Sequence, residues 1–127
     1  MNKHIPSVFA AALLLSPGVH ADGDPAAGED LFKRCQSCHT IDEGGRAKQG
    51  PNLFGVYGRT AGTSEGFDRY SDGVASSGIV WDEETLSAWL QGPAQFIAGA
   101  KMTFRLNDPQ DIADVIAYLK ANSPDAE

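Results

Sequence analysis

The stretch RCQSCHT, Arg34 to Thr40, contains both cysteines of a 127-residue chain, three residues apart, with a histidine directly after the second. Cysteine and histidine are scarce here, and each can bind a metal or a cofactor. Which chemistry the three share decides both fold and function.

His39 stands apart from the other two histidines, His4 and His20, which fall in an N-terminal stretch that reads as an export signal. Lys3 supplies a positive start, Val8 to Leu15 an apolar run, Pro17-Gly18 a break, and Val19-His20-Ala21 a small-residue cleavage site. The apolar run is far shorter than the ~20 residues a membrane span needs. Residues 1–21 are therefore expected to be a cleaved secretory signal and residues 22–127 one small domain, with a periplasmic location. Removing Lys3 leaves 9 basic against 17 acidic residues, a net charge of −8. Such a balance argues against nucleic acid or an anionic membrane as partner.

Four readings compete for C-x-x-C. A redox dithiol wants a thioredoxin-like βαβ setting, which the sequence lacks. A structural disulfide over so short a loop removes little chain entropy. Zinc needs two further ligands, and no other cysteine or histidine remains after processing. The adjacent histidine completes C-x-x-C-H, the attachment motif of c-type haem. Two thiols one helical turn apart can each add to a vinyl group on the same ring edge, and the next residue then points its imidazole at the iron. Cys35 and Cys38 are thus the expected attachment points for one haem c, with His39 the axial metal ligand.

For the opposite axial position the residues leave several candidates: Met102, a deprotonated lysine, the new amino terminus, or an open site. Met1 leaves with the signal, so Met102 is the one methionine retained, and it lies in a Gly99-Ala100-Lys101-Met102 loop rather than on a helix face. Histidine plus thioether would saturate the iron and favour electron transfer over bond chemistry. An open or labile sixth position would instead suit a peroxidase or gas sensor.

Three helices are expected. The first opens at Asp24-Pro25 and runs to about Arg34; the second follows Asp82, carries Leu86, Trp89 and Leu90 on one side and stops at Gly92-Pro93. The third opens at Asp108-Pro109 and sets Ile112, Val115, Ile116 and Leu119 on one face. Between them the chain is glycine-rich with no alternation that would make a sheet, and long loops of this kind need a core larger than their side chains provide. A bulky apolar cofactor would supply it.

GEDLFKRCQSCHT, GPNLFGVYGR, SGIVWDEETLSAWL, GAKMTF and IADVIAYLK, in that order, resemble the class I cytochromes c of the cytochrome c2 and mitochondrial branch, from about Gly28 to Asn122. The resemblance implies an all-α fold: three main helices plus short helices and long loops wrapped around one covalently bound haem, in a single-electron carrier that is not an enzyme. It implies Met102 as the second metal ligand, Pro51 as acceptor of the His39 Nδ1 hydrogen, and Arg59, Tyr70 and Trp81 as partners of the haem propionates. Leu53, Leu90 and Phe104 would pack on the ring, and Gly28 and Phe32 against Val115 and Tyr118.

Two departures stand out. Trp89 occupies a position where many relatives carry a tyrosine that bonds the methionine sulfur. Ala98-Gly99 replaces a Pro-Gly pair, which is expected to leave the methionine loop less rigid. Lys33, Arg34, Lys48, Lys101 and Arg105 match positions that ring the exposed haem edge. They imply transient docking with a donor such as a cytochrome bc1-type complex or a dehydrogenase, and with an oxidase, reductase or reaction centre as acceptor, by a monomer without a membrane anchor.

Overall fold

The computed structural model describes residues 22–126; the export signal expected over residues 1–21 lies outside them. In chain order the helices are α1 (Pro25–Phe32), α2 (Asp72–Ser76), α3 (Glu83–Gln91), α4 (Pro93–Phe96) and α5 (Pro109–Ala121). The three expected helices are α1, α3 and α5. Their starts are set by aspartate side chains that accept backbone N–H groups left without partners in the first turn: Asp24 from Ala26, Asp82 from Thr85, and Asp108 from Gln110 and Asp111.

The expected end of the first helix needs correction. Its α-helical part stops at Phe32, and residues 33–38 continue as tighter turns in which Arg34 N–H bonds Leu31 O, Cys35 N–H bonds Phe32 O, and Cys38 N–H bonds Cys35 O. This i→i+3 winding still delivers Cys35 and Cys38 one turn apart. The two short helices, α2 and α4, have no periodic signature. Pro93, expected only to stop α3, also opens α4 by fixing φ at its first position.

The frame is the crossing of α1 on α5. Ile112, Val115, Ile116 and Leu119 are all buried, as their spacing predicts, and Phe32 sets its ring 5.3 Å from that of Tyr118. Close approach depends on Gly28: a Cβ there would overlap the Asp114 carbonyl oxygen and lie 2.8 Å from Tyr118 Cβ. Buried Asp114 adds a polar tie, accepting from Asp24 N–H and from Gln110 Nε2, each at 2.8 Å.

Loops close the rest. Trp81 N–H bonds Arg59 O, Gly58 N–H bonds Trp81 O and Ala61 N–H bonds Ile79 O, around an antiparallel bridge between Thr60 and Val80. That single bridge is the only strand-like pairing among the described residues, in keeping with the absence of alternation.

Substituting Gly28→Ala is expected to destabilise the haem-loaded protein by about 2 kcal/mol, the cost of separating two packed helices outweighing the helix propensity of alanine. Denaturant unfolding measures it; wild-type stability would contradict the contact.

Candidate cofactor site

The segment after α1 is held by a second loop. Gly50 N–H bonds Cys38 O at 2.8 Å and Leu53 N–H bonds Thr40 O at 2.8 Å, so residues 50–53 run alongside residues 38–40. Between these two ties His39 Nδ1 donates to the carbonyl oxygen of Pro51 at 2.7 Å. A carbonyl can only accept, so the proton sits on Nδ1 and the lone pair is left on Nε2. Burial lowers the pKa of His39, opposed in part by the Pro51 bond, which keeps the ring neutral and available as a ligand.

Two further residues fix this geometry. Gly50 gives the ring its room: a Cβ there would strike Cε1 and come within 2.8 Å of Nδ1. Asn52 braces the loop, its amide donating to Thr40 Oγ1 at 2.7 Å and to Asp42 O at 2.9 Å while its Oδ1 accepts from Phe54 N–H. Both belong to the GPNL stretch, yet only Pro51 and Leu53 were singled out from sequence. A glycine before a proline reads as loop punctuation, and nothing in the sequence says that an imidazole lies over it.

A cavity of about 460 Å³ opens beside this loop, and all 12 residues expected at the site line it: Cys35, Cys38, His39, Pro51, Leu53, Arg59, Tyr70, Trp81, Trp89, Leu90, Met102 and Phe104. Phe32, Val56, Leu86, Val115 and Leu119 complete its apolar wall. The two cysteines are not joined to each other. Burial, and next the neighbouring Cys38, push the Cys35 thiol up to about 11 against the pull of Arg34.

Polar groups enter at defined places. Arg59 donates from Nη1 to Phe54 O at 3.2 Å and from Nη2 to Asn52 O at 3.1 Å, and Tyr70 OH accepts from Ser64 N–H at 3.0 Å. Trp81 is buried with its ring 5.4 Å from that of Trp89, edge to face. The methionine loop is anchored at its two ends, where Ala100 N–H bonds Ile97 O and Leu106 N–H bonds Leu90 O, with a left-handed Gly99 (φ +82°) making the turn.

Haem fits this site on three grounds. Close-packed interiors tolerate few voids larger than a water molecule, so an apolar cavity of this volume calls for an occupant. The donors on its wall are two thiols, a thioether and an imidazole with a free Nε2, which suit vinyl attachment and iron. Arg59, Tyr70 and Trp81 set polar groups on the same wall, where the carboxylates of a haem would need partners.

Of the cations expected around the edge, Lys33, Arg34, Lys48, Lys101 and Arg105 are all exposed. Arg34 and Lys101 border the cavity itself, joined there by Arg69, which was not singled out from sequence. Lys33 is paired with Asp30 at 2.8 Å, so its charge is partly answered locally.

The profile of the cytochrome c family matches residues 25–123. The chain is 53% identical over 104 residues to a cytochrome c of Theileria annulata, covering 80% of this chain and 89% of that protein. It is 42% identical over 124 residues to a cytochrome c2 of Rhodospirillum rubrum, covering 89% and 91%. Among solved structures, cytochrome cH from Methylobacterium extorquens superposes with a TM-score of 0.72 at 40% identity, covering 78% of this chain and 99% of that one. With cavity, donors and likeness in agreement, the chain belongs to the cytochrome c family: it is an all-α, class I c-type cytochrome, an electron carrier and not an enzyme, of a family built around covalently bound haem.

Proposed function

We propose that the chain is exported to a periplasm and there shuttles single electrons between redox proteins on one haem c, attached through Cys35 and Cys38 and ligated by His39 and Met102. The observation that carries this reading is the convergence of those four side chains on one apolar cavity. When bound, the haem supplies a one-electron iron couple.

The residues of the chain set the conditions for that couple. Pro51 holds the His39 proton on Nδ1 and fixes the ring, so Nε2 would serve the iron as a neutral donor. Met102 offers a soft, uncharged sulfur that favours the reduced state. Cys35 and Cys38 tie the cofactor to the chain, which prevents its loss outside the cell. Arg59, Tyr70 and Trp81 answer the carboxylates of the ring, Arg59 with donors left over from its two backbone bonds. Leu53, Leu90, Trp89 and Phe104 exclude water, so little solvent need reorganise when charge moves. With His39 and Met102 both holding the iron, dioxygen and peroxide would find no vacant site.

Docking to partners takes place at the rim. The chain carries a large net negative charge, while Arg34, Arg69 and Lys101 make the cavity mouth basic and Lys48 and Arg105 add exposed cations beyond it. That asymmetry orients the carrier toward acidic surfaces, and contacts of this kind release quickly.

Exchange of Met102→Ala in the haem-loaded protein should lower the midpoint potential and let the reduced form bind carbon monoxide. An unchanged potential with no carbon monoxide adduct would remove Met102 from the iron and open the peroxidase or sensor reading. Association with an acidic redox partner should slow roughly tenfold between low and physiological salt; rates independent of ionic strength would exclude a charged rim. The intact mass of the exported protein should equal Asp22–Glu127 plus one haem, and a mass retaining residues 1–21 would refute cleavage after Ala21.

A further inference from the structure

Two cations at the mouth of the cavity, Lys101 and Arg69, form a continuous series of contacts with a third, Lys48. Lys101 Nζ donates to the backbone carbonyl of Arg69 at 3.1 Å, Arg69 Nη2 donates to the carbonyl of Lys48, and Lys48 Nζ donates to the carbonyl of Gln36 at 2.7 Å. Gln36 lies between the two cysteines, and Lys101 directly precedes Met102. The series therefore runs from the methionine loop, across the segment before Tyr70, to the loop that holds His39, and ends inside C-x-x-C. Its links join residues 32, 21 and 12 positions apart in sequence, so none is a local turn contact.

Each link joins a cationic side chain to a neutral carbonyl, and among the described residues none of the three cations has a carboxylate within ion-pair distance. A hydrogen bond from a charged donor is stronger than a neutral one. Three in series are enough to bias how often a short loop opens, yet each is exposed and too weak to set the stability of the whole fold. Arg69 is the central member. Its guanidinium also stands 5.4 Å from the centre of the Phe67 ring, which itself lines the cavity.

The methionine loop has need of such ties. Ala98 stands before Gly99, so no proline stiffens the turn. Between the Ala100 and Leu106 N–H bonds at its ends, the one side-chain hydrogen bond from residues 101–105 is that of Lys101.

We propose that Arg69 is a positioning residue: with Lys48 and Lys101 it forms a belt that holds the Met102 loop closed over the cavity and thereby governs how readily Met102 leaves the iron. This rests on Met102 being an iron ligand. The belt itself is a property of the chain and can be read without the iron.

The test compares oxidised, haem-loaded wild type with Arg69→Ala, Lys101→Ala and the double variant at one neutral pH. Hydrogen exchange of the backbone amides of residues 97–104 is followed, together with the rate at which added imidazole displaces the native ligand. Each single variant should speed both by several-fold while the global unfolding midpoint moves little. Because the links are in series, the double variant should be no faster than the faster single one. Unchanged loop exchange in Arg69→Ala, or effects that multiply in the double variant, would overturn the belt. If wild type shows no iron–sulfur absorption band, the ligand assignment fails, and loop exchange still decides whether the belt exists.

Discussion

The carbonyl of Pro51 takes the Nδ1 proton of His39 at 2.7 Å, and the backbone on either side is arranged to keep it there. Gly50 and Leu53 lock the two segments in register through Cys38 and Thr40, Gly50 leaves space for the ring, and Asn52 braces the turn from outside. Without that bond the imidazole could hold its proton on either nitrogen and rotate. With it, Nε2 is a fixed neutral donor on the wall of the cavity, and the sites for the cysteines, one turn earlier, follow from the same winding.

The second constraint is volume. A mostly apolar cavity of about 460 Å³ leaves its wall without packing partners unless something fills it. The helices enclose only part of a core: α1 and α5 pack on one another at Gly28, Phe32 and the buried face of α5, while α3 with the long loops lines a cavity. Glycine-rich loops are compatible with order because their inner faces have a rigid ring to pack on. This is why the fold and the cofactor cannot be discussed separately.

Much of this was legible in the sequence. α5 could be read to its individual buried residues, because an apolar face repeating over thirteen residues is decided by helix geometry alone. α3 was bounded by an aspartate cap and a Gly-Pro stop, both local chemistry. What could not be read was whatever depends on contacts remote along the chain. Residues 33–38 change from α to tighter turns, and the carbonyls of Gln36 and Cys38 bond Lys48 and Gly50 of a loop that follows ten or more residues later. Gly50 carries no local mark of the His39 ring that lies against it. Neither link of Arg69, to Lys48 and from Lys101, has any trace in local sequence. The twelve residues expected around a haem all line one cavity, an expectation that came from the resemblance, which carries long-range information that spacing and periodicity lack.

The acidic net charge and the basic cavity mouth are physically compatible: net charge favours dispersion, while a local basic patch would confine attraction to one side of the molecule. All of it presumes a six-coordinate iron. The most direct test is the absorption spectrum of the exported protein, oxidised and reduced, with carbon monoxide added to the reduced form. The account predicts a weak iron–sulfur charge-transfer band in the oxidised spectrum and no response to carbon monoxide. A missing band together with a carbon monoxide complex would contradict it, and would mean that the cavity presents an open iron.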